Sequence, residues 1–182
     1  MRCGAISILG LGLICPLLVG RHCSAQEPPP TEYQIKAAFL FNFAKFVEWP
    51  PRVLTEAKSP IIIGILGENP FHEDLAQVVR NKSIDQHPLL IHELRSPAQA
   101  ANCHVLFIST SEKKRLPEIF AALKSASVLT VGEMDQFTEA GGMINFVLVG
   151  TKIRFEINQE AATSAGLKIS SKLMNLAMRP GH

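Results

Sequence analysis

Cys103 and His104 stand side by side, and an imidazole next to a thiol is the arrangement that turns a cysteine into a nucleophile. The run His104 to Ser109 (HVLFIS), however, reads as a β-strand, whose alternation sends adjacent side chains to opposite faces. The two residues therefore do not form a nucleophile–base pair with each other. Ser111-Glu112-Lys113-Lys114 matches Ser-x-x-Lys, in which a lysine serves an acylating serine, yet the companion Ser-Asp-Asn and Lys-Thr-Gly elements are missing. A helix-capping serine ahead of solvated lysines accounts for it. Gly64-Ile65-Leu66-Gly67 lacks the Gly-x-Gly-x-x-Gly spacing that brings backbone against a dinucleotide pyrophosphate, so it reads as a plain strand-to-helix turn. His72, His87, His92, His104 and His182 show no His-x-x-x-His spacing, and the cysteines no Cys-x-x-Cys. No catalytic residue, metal site or cofactor is assigned, and the chain is expected to bind rather than to catalyse.

The amino-terminal pattern sets the compartment. Arg2, an apolar run from Ala5 to Val19, and Cys23-Ser24-Ala25 before Gln26 form the charged, hydrophobic and cleavage regions of an export signal, cut near Ala25. Gly10, Gly12 and Pro16 interrupt the run, which falls short of the roughly 20 apolar residues of a spanning helix. Removing 25 of the 182 residues leaves 157, the size of one domain with an adequate core. Arg2 and Arg21 leave with that segment and no acid does, so the 18 basic residues fall to 16 against 16 acidic. A net charge of zero gives no support to a nucleic-acid or anionic-membrane partner. Cys3, Cys15 and Cys23 leave too, and Cys103 remains as a candidate free thiol with no partner for an internal disulfide. It is read as a small buried apolar residue.

The elements that would position a site follow from local signals. Residues 26–30 are a Pro-rich leader, and Thr31-Glu32-Tyr33-Gln34 fits a capping box that opens a helix. Pro50 and Pro51 stop that helix near Glu48 or Trp49. Four of the chain's ten phenylalanines fall within its eight residues 39–46. On a helical wheel Ile35, Phe39, Leu40, Phe43, Phe46 and Val47 form a broad apolar arc, and Asn42, Lys45 and Glu48 a narrow polar stripe. Lys36 falls inside the apolar arc, where its ammonium must reach the rim or a partner. Strands are predicted at Pro60 to Leu66, Pro88 to Leu94, His104 to Ser109 and Ser127 to Val131, with helices from Asn69 to Asn81 and Pro117 to Lys124 between them. That alternation predicts a single α/β domain over residues 31–182, with a mixed, mainly parallel sheet flanked by helices. Met143 to Val149, the turn Gly150-Thr151, and Lys152 to Ile157 form a carboxyl-terminal β-hairpin at a sheet edge, with Lys152, Arg154 and Glu156 on its polar face. Asn158 caps a last helical region through Ala177, interrupted near Gly166.

Three stretches go beyond generic patterning: Tyr33 to Pro50 (YQIKAAFLFNFAKFVEWP), Cys103 to Ser109 (CHVLFIS), and Gly141 to Ala177 (GGMINFVLVGTKIRFEINQEAATSAGLKISSKLMNLA). Taken in order they resemble the YfiR family of small exported bacterial proteins. The resemblance implies a periplasmic repressor that binds the periplasmic domain of an inner-membrane diguanylate cyclase and keeps cyclic di-GMP low, with biofilm formation and motility as outputs. It also implies an outer-membrane lipoprotein that releases the repressor. The best-known members carry intramolecular disulfides, which Cys103 cannot form here. The alternative reading is a periplasmic small-ligand sensor or binding module that feeds another membrane sensor protein, with a pocket at the carboxyl ends of the strands, near Gly67 to Asn69 and Ser109 to Ser111. The candidate partner-binding residues are Asn42, Lys45 and Glu48 on the helix and Lys152, Arg154 and Glu156 on the hairpin, and a homodimer through an edge or an apolar helix face is a further expectation.

Overall fold

The computed structural model describes residues 29–56 and 58–178. The expected export segment, the cleavage expected near Ala25, and His182 lie outside the described residues.

Helix α1, Glu32–Phe46, opens on the expected capping box. Thr31 Oγ1 accepts from Gln34 N at 3.2 Å, and Gln34 Oε1 accepts from Thr31 N at 3.0 Å. Its other end differs from expectation. Val47 is already extended, and Val47–Glu48 forms a short strand, β1, paired antiparallel with Lys168–Ile169. Ser170 N donates to Phe46 O at 3.0 Å, so a distant segment ends the helix before the prolines act.

The main sheet is built from β2 (Ile61–Leu66), β3 (Ser83–Ile84), β4 (His87–Leu94), β5 (Val105–Ile108), β6 (Leu129–Gly132), β7 (Ile144–Val149) and β8 (Lys152–Ile157). Their order is β3-β4-β2-β5-β6-β7-β8. The five central strands run parallel, and β3 and β8 close the two edges antiparallel, which makes the domain α/β with a terminal hairpin. Val105–Ile108 is buried at every residue, as a parallel strand covered on both faces must be. Gly150 takes φ +60° in the β7–β8 turn, a conformation that suits a residue without a side chain.

Two apolar layers cover the sheet. On one face, α1 and α2 (Asp74–Val79) pack against Ile61, Ile63, Val105, Phe107 and Val131. On the other, α3 (Pro97–Ala100) and α4 (Leu116–Leu123) pack with Phe137 against Leu66, Leu106 and Ile108. Two predicted helices are shorter than the pattern implies. The one expected from Asn69 to Asn81 begins only at Asp74, because Asn69 Oδ1 accepts from Phe71 N and His72 sits at φ 47°. Asn158 caps α5 (Gln159–Ser164) and the expected interruption falls at Gly166, but the chain passes there into a strand, β9 (Lys168–Ile169), and the helix that resumes, α6 (Ser171–Met174), ends short of Ala177.

Candidate functional site

The side of α1 that faces the sheet is defined by Lys36, Ala37, Leu40, Phe43 and Ala44, all buried. The expected apolar arc is thus rotated: Ile35, Phe39 and Phe46 are only half-buried, and Lys36 is among the innermost residues. Its ammonium finds two carboxylates. Nζ lies 2.5 Å from Glu32 Oε1, one turn back, and 2.5 Å from Glu133 Oε2, just past β6. Tyr33 Oη donates to Glu133 Oε1 at 3.2 Å, and Lys36 Nζ stands 4.7 Å from the centre of the Tyr33 ring. Burial by itself would lower the Lys36 pKa, but the hydrogen bonds to Glu133 and Glu32 and their charges outweigh it and raise it. Tyr33 is raised as well, by burial first and then by the Glu133 carboxylate. Lys36 is therefore an ammonium at neutral pH. One ammonium against two carboxylates leaves a net negative charge at a cleft of about 290 Å³, lined also by Thr110, Phe146, Val147 and Leu148.

Glu133 is the residue that sequence reasoning missed. Lys36 in an apolar arc signalled that some anion was needed, but no local pattern names a residue 97 positions away.

The neighbouring rim is closed on itself. Ser111 does not cap a helix: it lies within a 3-10 helix, Thr110–Arg115, whose cap is Ser109. Ser111 Oγ accepts from Glu68 N at 3.1 Å, and Asn69 Nδ2 donates to Glu93 Oε1 at 2.7 Å. A Cβ on Gly67, which sits at φ +92°, would come within 2.4 Å of Ser111 Oγ. Ser111 therefore joins the two loops, and Asn69 ties the first of them to β4.

The six surface candidates are distributed over three places. Asn42 is half-buried in an apolar cleft of about 320 Å³ beside Pro30, Ile35, Ala38 and Phe39. Lys45 and Glu48 are exposed and line a different cleft, of about 410 Å³, with Trp49, Asp85 and His87 near the amino ends of β2 and β4. Lys152 and Arg154 are exposed and Glu156 half-buried on β8, where Ile153, Phe155 and Ile157 take the alternate positions. The helical stripe is thus divided between two clefts, and the hairpin charges form a separate edge.

Behind the second cleft, His104 Nδ1 accepts from Ile62 N at 3.0 Å, which places the ring proton on Nε2. Burial, and secondarily the charge of His87, holds His104 below the ordinary histidine value, so it is neutral at pH 7. Its ring stands edge-on to Trp49 at 6.0 Å and does not serve Cys103. Cys103 is the free cysteine of the described residues, and burial pushes its thiol up to about 11. Its sulfur packs against Gly64, where an added Cβ would approach to 2.6 Å. A protonated, covered thiol reacts slowly. In native protein at pH 8, Cys103 is expected to react with a disulfide reagent at least a hundredfold more slowly than in urea, on the order of the native-state protection such burial confers. Equal rates in the two conditions would show that the thiol is open.

Two solved structures share this fold. A conserved domain protein from Vibrio cholerae O1 biovar eltor superposes with a TM-score of 0.54 at 14% identity, covering 79% of this chain and 59% of that one. An ABC domain in complex with L-Trp from Streptococcus pneumoniae gives 0.52 at 13%, covering 79% and 61%. The chain therefore spans about six tenths of the length of each, and at such identities the likeness concerns the fold alone. The YfiR/HmsC-like family model matches residues 33–178, which takes in α1 from Tyr33 on, the whole main sheet and the bridge at Met178. With the aromatic body of that helix, its mainly parallel sheet and its closing hairpin inside the match, the chain belongs to the YfiR/HmsC-like family.

Proposed function

We propose that this protein is an exported, periplasmic repressor that binds the periplasmic domain of an inner-membrane diguanylate cyclase and keeps cyclic di-GMP synthesis low. The observation that carries the reading is the family match over residues 33–178. Among the described residues no helix is long and apolar enough to cross a membrane, so the chain would meet the cyclase through the domain described here. A repressor of this kind acts by binding the inactive state of its target more tightly than the active one. A difference of about 1–3 kcal/mol shifts activity by roughly 5- to 150-fold. An outer-membrane lipoprotein that competes for the repressor would release the cyclase.

The surfaces available for this task are the exposed charges of β8 and the cleft at Lys45 and Glu48. Deleting the gene is expected to raise intracellular cyclic di-GMP several-fold, and the purified protein to retain the periplasmic domain of a cyclase encoded beside it. In a complemented strain, Lys152→Glu with Arg154→Glu, or Lys45→Glu with Glu48→Lys, is expected to weaken repression while leaving the melting temperature within about 2 °C, as surface substitutions do. Unchanged cyclic di-GMP in the deletion strain would refute the repressor reading. Intact repression in both charge-reversed variants would remove those residues from the interface.

A further inference from the structure

Strand β7 continues where its neighbour β6 has stopped. It pairs with β6 only at Val131↔Ile144 and Gly132↔Asn145, but with β8 as far as Val149↔Lys152. Asn145 is the cause: its Oδ1 accepts from Met134 N at 3.1 Å, which draws the chain after Gly132 out of the sheet. Val147, Leu148 and Val149 consequently have a strand on one side and none on the other. Antiparallel alternation fixes which backbone groups are free. Asn158 N donates to Met143 O at 2.8 Å, in register with the hairpin, so residues 143, 145, 147 and 149 bond toward β8. Leu148 turns its N–H and C=O the other way.

The side chains on this stretch mark it further. Leu148 is 59% exposed and Val149 47%, two of the four large apolar residues that stand exposed among the described residues. The outer edge of the same hairpin is treated differently, since β8 carries Lys152, Arg154 and Glu156, the kind of charges that keep an edge from recruiting strands. Residues 147–149 themselves carry no charge. Their open side is the cleft that holds Glu32, Lys36 and Glu133, with its one net negative charge and with the Glu32 side chain 45% exposed.

We infer that the free edge of β7 at Val147, Leu148 and Val149 accepts an extended segment of a partner protein as an added strand, with a basic side chain of that segment reaching Glu32 and Glu133. Backbone hydrogen bonds would supply the affinity, and the carboxylates the choice of sequence. A second copy of this chain is the wrong occupant, because joining two such edges would set one net-negative cluster against the other. The inference rests on the repressor reading only for the identity of the partner.

A photo-crosslinking benzoylphenylalanine placed at Leu148 of the full chain in its own host tests it, with Leu90, 45% exposed on β4, as the control position. The expected product joins position 148, and not position 90, to a different protein, and maps by mass spectrometry to an extended segment containing lysine or arginine. Leu148→Pro removes an outward N–H while sparing the bonds to β8. Both it and Glu32→Gln, which leaves Lys36 paired with Glu133 and removes the net negative charge, are expected to weaken binding of that protein at least tenfold while shifting the melting temperature by no more than about 4 °C. A product with a second copy, a product with a helix, no product, or unchanged affinity in both variants each overturns the inference. If the captured strand belongs to neither a diguanylate cyclase nor an outer-membrane lipoprotein, the edge stands and the repressor reading falls. If gene deletion raises cyclic di-GMP while position 148 captures nothing, the reverse holds.

Discussion

Glu133→Ala is expected to destabilise the fold by about 3 kcal/mol, the low end of what breaking a buried ion pair costs. The loss comes from Lys36, which would remain buried with Glu32 as its sole carboxylate, and the Glu32 side chain is 45% exposed where that of Glu133 is 11%. Tyr33 would also lose the acceptor for its hydroxyl. For a domain of this size about 3 kcal/mol corresponds to roughly 6–12 °C in Tm, readable by circular dichroism. The pair itself is worth much less than the cost of breaking it, since both charges must leave water to form it. Lys36→Met combined with Glu133→Gln should therefore recover most of the loss, and a double variant no better than Glu133→Ala would show that the damage is steric. The linkage has a definite sign. Because the folded-state pKa of Lys36 is raised above its ordinary 10.5, the contribution of the cluster is fully present below that value and is lost only as pH climbs through the folded pKa. Melting temperature should thus respond to Glu133→Ala at pH 7 and lose that response in strong alkali.

Phe43→Ala is expected to cost about 3–5 kcal/mol, the range for deleting a fully buried aromatic ring. Phe43 is 0% exposed, and its ring centre lies 5.9 Å from that of Phe39, 5.6 Å from Phe146 and 5.1 Å from Phe155. These contacts join α1 to both strands of the hairpin, so the cavity would open at the seam between two of the segments that carry the family likeness. Phe43→Leu keeps most of the volume and should cost about 1.5 kcal/mol or less. Urea titration distinguishes the two, with a lower midpoint and an unchanged slope for both. A Phe43→Ala loss below about 1 kcal/mol would mean that the seam collapses around the gap. In cells, destabilisation on this scale should depress the amount of protein and with it repression, even though Phe43 touches no partner.

These two residues show how differently the parts of the molecule can be read from the chain. Phe43 was placed in the core by helical spacing, since its neighbours on the wheel lie three and four residues away. Lys36 was recognised as out of place by the same spacing, but the residue that neutralises it comes from the end of a strand on the opposite side of the chain's path. The capping box at Thr31, the buried run Val105–Ile108 and the hairpin turn at Gly150 were legible for the first reason. The end of α1 at Phe46 and the strand that follows the break at Gly166 were hidden for the second, because β1 and β9 exist only by pairing with each other across more than a hundred residues. Asn42, Lys45 and Glu48 look like one stripe on a wheel, yet neighbouring loops decide which cleft each one faces.

Local order is therefore what the amino-acid sequence determined by itself: where α1 and α5 start, which runs are buried on both faces, that strands alternate with helices, and that a hairpin closes the domain. Each of these depends on residues within about one or two turns or strand lengths, so the signal and its cause lie together. The tertiary structure alone decided that Glu133 answers Lys36, that Asn145 ends the β6 pairing, and that residues 147–149 are left with a bare edge. Those outcomes depend on register between strands and on which carboxylate arrives beside an ammonium, and both are set when distant segments compete for the same hydrogen bonds.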